Sequence, residues 1–257
     1  MTEDRWAPIA DQFVDGHYGS LRGRVRTHVI DRHLRWHLPP PPARLVDVGG
    51  GAGHQSIPLA RDGYQITIVD PSSAMLERAE RLIAEEPPEV AARLRLACAS
   101  GEQASEALDG ERFSGVLCHG VMMYVDELSP FVAALGGLAL EGGVVSIVTK
   151  NVDNLAIRPA LEGKWSEALE AFDSDHQQNG LGVDTRGDSV DGISDMLEQV
   201  GVQRIAWYGV RLFTDGWTRE LPKNDPESEV LAVELEASRR DPYRQMSRLF
   251  HIVGVKL

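Results

Sequence analysis

The sequence predicts an α/β fold built on a mostly parallel sheet. Short β-branched runs alternate with helix-like stretches of about 10–15 residues from Arg44 onward. The first of these runs ends in a block of glycines, and the second ends at a lone acid, Asp70. Taken in order, Ser20 to His37 reads as a helix carrying Arg22, Arg24, Arg26, Arg32 and Arg35. Pro39-Pro40-Pro41-Pro42 ends it, because proline lacks the N–H that a helix needs. Arg44 to Val48 is the first strand, and Gly53 to Arg61 a helix that stops at Asp62-Gly63. Gln65 to Val69 is the second strand. Ser72 to Glu85 is an amphipathic helix, with Met75, Leu76, Ala79, Leu82 and Ile83 on one face and Ser72 or Ser73 as N-cap.

Arg93 to Ala97 and Gly115 to Cys118 give the third and fourth strands. Asp126 to Leu140 is helical, and Gly142-Gly143 leads into a fifth strand, Val144 to Val148. Residues of about 150–189 break the rhythm and read as an insert. Ser189 to Val200 resumes a helix, closed by Gly201. Val202 to Val210 and Phe250 to Val255 are two late strands around a helix from about Asp225 to Arg240, and their order suggests a hairpin at the sheet edge.

At 257 residues with 42% hydrophobic content, the chain can bury a core without disulfides or metals. The 26 basic against 39 acidic residues leave a net charge of −13, so attraction to a polyanion would need a local basic patch. Cys98 and Cys118 lie too far apart for a zinc knuckle and, in apolar runs, are expected as buried thiols. The histidines show no metal-binding spacing, no metal is expected, and His28, His33 and His37 are read as solvent-facing on their helix. No apolar run reaches the roughly 18 residues of a membrane span, and the N-terminus lacks the blocks of a signal peptide, so a cytoplasmic protein is expected.

The strongest constellation is Asp47-Val48-Gly49-Gly50-Gly51-Ala52-Gly53, after a strand and before a helix, with Asp70 at the end of the next strand. Glycines permit a tight turn and close approach of a ligand to the backbone. A carboxylate at the second strand end can accept both hydroxyls of a ribose. The alternative is a plain glycine turn with a solvated Asp. The dinucleotide pattern G-x-G-x-x-G fails, since His54 or Ser56 stands at its third glycine.

The block instead resembles the D-x-G-x-G-x-G motif of class I S-adenosylmethionine-dependent methyltransferases, matched by Asp47, Gly49, Gly51 and Gly53. Further pieces follow in that family's order: Asp70-Pro71, Ser100-Gly101-Glu102, Cys118-His119-Gly120, and Leu140-Glu141-Gly142-Gly143, where Glu141 replaces a proline. The resemblance implies a Rossmann-like seven-stranded, mostly parallel sheet with an antiparallel C-terminal edge strand and helices on both faces. It implies an N-terminal helical lid (1–42) and a methyltransferase domain (43–257) holding the insert. S-adenosyl-L-methionine is the implied cofactor, bound by Arg26, Asp47, Gly49, Gly50, Gly51, Gly53, Asp70, Pro71, Gly101, Glu102 and His119.

The outer segments resemble, more narrowly, the family that esterifies 5-carboxymethoxyuridine in tRNA. They are Phe13…Tyr18-Gly19…Gly23…Arg26, His119…Tyr124-Val125, Gly209-Val210-Arg211-Leu212-Phe213 and Asp241-Pro242-Tyr243…His251-Ile252. That likeness implies Arg26 on the cofactor's carboxylate, His119 beside the methyl group and Arg211 on a substrate carboxylate. Arg26 and Arg211 have alternatives as surface arginines, and His119 as a hydrogen-bonded core residue. A carboxylate nucleophile is ionised at neutral pH, so positioning and desolvation would carry the reaction, with no general base.

One departure bears on the acceptor. Where that tRNA family carries a lysine-rich insert, this one holds Glu162, Glu167, Glu170, Asp173, Asp175, Asp184 and Asp188, followed by Asp191, against Lys164 and Arg186. A basic surface would have to come from the Arg22 to Arg35 helix with Arg239, Arg240, Arg244 and Arg248. Trp165, Phe172, His176, Tyr18, Tyr124, Trp207, Phe213 and Trp217 could stack a base or wall a small-molecule pocket. The acceptor is therefore a tRNA anticodon loop or a small carboxylic acid. A non-catalytic cofactor-binding protein and, more weakly, an NAD-dependent reductase stand as other classes.

Overall fold

The computed structural model describes residues 19–178, 182–216 and 227–257; Phe13, Tyr18 and Trp217 lie outside them. The elements begin with α1 (Leu21–His37), β1 (Arg44–Val48), α2 (Ser56–Arg61), β2 (Gln65–Asp70), α3 (Ser73–Ala84), α4 (Pro88–Ala91) and β3 (Leu94–Cys98). They continue with α5 (Ala104–Ala107), β4 (Phe113–His119), α6 (Leu128–Leu138) and β5 (Ala139–Lys150). The insert folds as α7 (Ile157–Leu161), α8 (Trp165–Glu170) and a small hairpin of β6 (His176–Gln178) with β7 (Asp184–Arg186). Last come α9 (Val190–Gln199), β8 (Val202–Val210), α10 (Glu227–Ala237) and β9 (Leu249–Lys256).

The seven-stranded sheet has the order β3-β2-β1-β4-β5-β9-β8. β1 to β5 are mutually parallel, and β9 runs antiparallel between β5 and β8. The reversed C-terminal strand thus belongs to the edge pair, with β8 outermost. Because side chains alternate along a strand, neighbouring residues feed opposite core layers. Val46, Val116, Cys118, Val145, Ile147, Phe250 and Ile252 pack with α6 and α9. Leu45, Leu117, Val144, Val148, Leu249 and Val253 pack with α1 and α2 on the other side.

Local chemistry sets the boundaries. Ser72 caps α3 by accepting from the Met75 N–H, and Gly201, at φ +72°, closes α9. The Leu140 to Gly143 turn is a bulge inside β5: the pairing steps from Phe113↔Ala139 to Gly115↔Val144. Cys118 is buried as expected, but Cys98 is exposed, because β3 is an outer strand covered by less of the fold.

Helix α1 is capped by Ser20, whose hydroxyl accepts from the Gly23 N–H at 3.1 Å. Its inner face, Val25, Arg26, Val29, Ile30, His33 and Leu34, is buried at helical spacing. His33 is fully buried, contrary to the solvent-facing reading, because it continues the stripe begun by Arg26, two turns earlier. Since α1 shares one core layer with the sheet, Leu34→Ala should destabilise the whole domain by about 2–5 kcal/mol. Urea denaturation should show one transition moved to lower urea; a separate early transition for α1 would contradict this packing.

Candidate functional site

A parallel sheet presents its strand C-termini to one crevice, at the point where the connections diverge to either side. Here that point lies between β1 and β4, which are neighbours. The glycine block leaves β1, Asp70 ends β2, and His119 ends β4.

The loop conformation needs its glycines at two positions in particular. Gly49 has φ +72°, and a Cβ there would enter the Val121 side chain. Gly51 has φ +53°, and a Cβ would stand 2.7 Å from Met75 Cε. Gly50 lies over the Asp47 carboxyl, and Gly53 returns the chain through a bond from its N–H to the Gly50 carbonyl at 2.9 Å. Asp70 organises the loop: its Oδ2 accepts from the Gly51 N–H and its Oδ1 from the Ser72 N–H, both at 2.9 Å. Asp47 is buried and accepts from Ser56 Oγ at 2.6 Å. Burial pushes its carboxyl up to about 6, against the opposing Ser56 hydrogen bond and Arg26 charge.

Arg26 is buried and donates from Nη2 to the His119 carbonyl at 2.9 Å. This joins α1 to the tip of β4, beside Asp47, as a lid-borne arginine would. His119 is also buried; its Nε2 meets Ser146 Oγ at 2.8 Å, whereas its Nδ1 is buried without a hydrogen-bond partner. The remaining expected residues are mixed. Pro71 and Glu102 are exposed at the crevice edge, and Gly101 is buried under Phe131, where a Cβ would clash with the ring.

Beside this lies a group of cations. Arg211 follows β8 with φ +63°, an uncommon conformation for a long side chain. Its turn is fixed by Glu234 of α10, which accepts from the Leu212 and Thr214 N–H groups and the Thr214 hydroxyl. Arg211 pairs with Asp215 and is only 11% exposed, so it is no surface arginine. Burial lowers its pKa; Asp215 opposes this, while the charges of Arg248, Arg22 and Arg26 add to it. Arg248 is 8% exposed rather than part of an outer basic face, and it too approaches Asp215. Arg211 Nε and Arg248 Nη1 are buried without hydrogen-bond partners. Sequence reading also missed Lys150 at the end of β5. It donates to Thr185 Oγ1 at 2.7 Å, and burial, helped by Arg248, pushes it down to about 7.

Among the described residues, several arginines of the expected outer basic surface are ion-paired. Arg24 pairs with Glu227, Arg35 with Asp31 and Asp62, Arg239 and Arg240 with Glu236, and Arg244 with Asp241. In the insert, Asp188 is buried, accepting from Thr149 and Arg186, so it ties the hairpin to β5. Trp165 and Phe172 are largely exposed on the insert, and His176 is exposed. Trp207 carries the Arg244 guanidinium 4.0 Å above its ring. Among the described residues no cluster of His, Cys, Asp and Glu could hold a metal ion, and no helix is long and apolar enough to cross a membrane.

Comparison with known proteins agrees with this geometry. Residues 46–145 match the family model described as a methyltransferase domain. The chain is 26% identical over 261 residues to the tRNA 5-carboxymethoxyuridine methyltransferase of Escherichia coli K12, covering 100% of this chain and 97% of that protein. It is 33% identical over 110 residues to a ubiquinone biosynthesis O-methyltransferase of Methylocella silvestris, covering 42% and 40%. The fold superposes on magnesium protoporphyrin IX methyltransferase from Synechocystis PCC 6803, solved with bound S-adenosylhomocysteine. The TM-score is 0.64 at 14% identity, with 99% and 97% of the chains covered.

Three buried histidines pack between α1, β4 and β9: His33, His119 and His251. Burial depresses all three, and His251 is pushed down to about 3. A depressed histidine contributes stability that is full above the unfolded value near 6.5 and is lost as pH falls toward the folded value. The melting temperature should therefore fall as pH drops from 7 to 4.5, and His251→Gln should flatten that slope; an unchanged slope would contradict the burial of a neutral imidazole.

Proposed function

We propose that this S-adenosylmethionine-dependent methyltransferase transfers its methyl group to a carboxylate oxygen. The observation that carries the reading is the buried cation group. Arg211 and Arg248 share Asp215 and have unmet N–H donors, and Arg211 lies within the field of Arg22 and Arg26. Buried cations in excess of their anions are costly, and a bound carboxylate would complete them through forked hydrogen bonds.

The loop fits the cofactor. Gly49, Gly50, Gly51 and Gly53 let the backbone turn where a Cβ would meet Val121, Asp47, Met75 and Ile68, and Asp70 would hold the ribose. Arg26 would take the cofactor's carboxylate and Asp47, beside it, would lie near its ammonium. Pro71, Gly101 and Glu102 would border the adenine side. When bound, S-adenosylmethionine supplies a methyl group on a sulfonium. An ionised carboxylate needs no proton removed to accept that methyl group. Arg211 and Arg248 would orient the carboxylate and strip its water, and α1 would cover the crevice as part of an N-terminal lid.

We propose 5-carboxymethoxyuridine in tRNA as the first acceptor to test, on the full-length similarity to the Escherichia coli enzyme. This would place the protein in the cytoplasm. A small carboxylic acid is the second reading, favoured by the ion-paired outer arginines and the acidic insert.

Two tests follow from this assignment. Asp70→Ala should weaken S-adenosylhomocysteine binding by about ten- to a hundredfold in calorimetry, since it removes charge-assisted hydrogen bonds; equal affinity would remove Asp70 from the cofactor site. Arg211→Ala should raise the KM for the acceptor by about thirtyfold or more while S-adenosylhomocysteine affinity stays within twofold. The product should be an ester, cleaved by mild alkali; an alkali-stable product would rule out the carboxylate. Acceptor binding that weakens steeply with salt would mark tRNA, and a shallow dependence a small acid.

A further inference from the structure

The polar chain that begins at His119 has a direction, and its direction fixes a property of the site. The chain crosses the layer between the sheet and helices α1 and α10. His119 Nε2 meets Ser146 Oγ at 2.8 Å, and Ser146 Oγ meets His251 Nε2 at 2.7 Å. His251 Nδ1 meets His33 Nδ1 at 3.1 Å, and His33 Nε2 meets Ser238 Oγ at 2.9 Å. Ser238 Oγ then donates to the Leu235 carbonyl at 2.7 Å. All five side chains are buried.

A carbonyl only accepts, and a hydroxyl has one proton. Ser238 therefore accepts from His33 Nε2–H. A neutral imidazole carries one N–H, so His33 Nδ1 is bare and accepts from His251 Nδ1–H. His251 Nε2 is then bare and accepts from the Ser146 hydroxyl. Ser146 in turn accepts from His119 Nε2–H, which leaves His119 Nδ1 bare. Burial keeps these imidazoles in the neutral form that the sequence of bonds requires. The bare Nδ1 is the buried atom without a partner, on the residue whose carbonyl holds Arg26.

We propose that Ser146, His251, His33 and Ser238 are positioning residues that lock His119 as the Nε2–H tautomer, so that its Nδ1 serves as a standing hydrogen-bond acceptor for an ammonium group of the ligand. A bare nitrogen repels a carboxylate and attracts a donor. The Asp47 carboxyl and Arg26 guanidinium interact nearby, and Arg26 grips the His119 carbonyl. Together, an acceptor nitrogen, a carboxyl and a guanidinium suit the ammonium and carboxylate of an α-amino acid. The assignment rests on the cofactor reading for the identity of that ammonium, and on the hydrogen-bond chain alone for the tautomer.

The test is nitrogen-15 NMR of the histidine rings in the full chain at pH 7. In the unliganded protein, His119 and His33 should be protonated at Nε2 and His251 at Nδ1. Adding S-adenosylhomocysteine should shift the His119 Nδ1 signal toward the hydrogen-bonded range and leave Nε2 protonated. Ser146→Ala should mix the His119 tautomers and weaken S-adenosylhomocysteine binding by about three- to tenfold; Ser146→Thr, which keeps the hydroxyl, should restore both. Ile66→Val empties comparable space in the same layer on β2, three strands away from β5, and should leave the His119 tautomer unchanged. An Nδ1–H or doubly protonated His119, or a tautomer shift as large in Ile66→Val as in Ser146→Ala, would overturn the proposal. If the wild-type chain bound no S-adenosylhomocysteine, the cofactor reading and the ammonium would fall together, while the ring signals would still decide the tautomer.

Discussion

The hydrogen bond from the Arg26 guanidinium to the His119 carbonyl ties α1 to the end of β4 across the crevice. A buried guanidinium is stable only where its donors and its charge are met. Arg26 reaches that condition at the strand ends, where the β4 carbonyl has no further strand residue to bond and the Asp47 carboxyl is close enough to interact. The opening of the sheet therefore supplies the polar groups that hold the N-terminal half of the helix. Loop, helix and strand tips form one coupled unit for this reason.

Charge is sorted by depth in this protein. The chain carries −13 overall, yet Arg26, Arg211 and Arg248 are gathered inside, with Asp215 shared between two of them. Outside, arginines on α1 and after α10 are held by carboxylates. Exposed pairs of this kind contribute little to stability, but they lower the surface potential that a nucleic acid would feel. The buried cations keep theirs, because low-dielectric surroundings screen them less. A ligand with one localised negative charge suits this arrangement better than an extended polyanion does, and within a nucleic acid the modified base would have to enter the crevice itself.

Much of this was legible in the chain. The succession of strands and helices, the glycine turn after the first strand and the late strand pair follow from local periodicity and from glycine's backbone freedom, and the structure reproduces them. His33 was misread as solvent-facing, although it stands seven residues after Arg26, in the apolar stripe of Val25, Val29, Ile30 and Leu34. The pairing of Arg35 with Asp31, and of Arg240 with Glu236, was written at i,i+4 spacing. Other features were not local. Arg24 finds Glu227 some 203 residues away, and the Arg211 turn depends on Glu234 from another element. Cys98 has a strand-like neighbourhood, and only the sheet order reveals its place on an outer strand.

The hydrogen-bonded chain under α1 also explains how the helix keeps its register. An apolar helix face packs nearly as well after a small slide, because dispersion and burial are not directional. Moving α1 by a single residue shifts it by about 1.5 Å and turns it by about 100°. That step would part His33 from His251 and Ser238, and Arg26 from His119, at the same time. Each buried polar group left unmet costs about 1–3 kcal/mol, so several kilocalories separate the correct register from its neighbours. An all-apolar layer would give comparable stability without that discrimination. The polar seam therefore sets where α1 stops along the sheet, and thereby where the Arg26 guanidinium stands over the glycine loop.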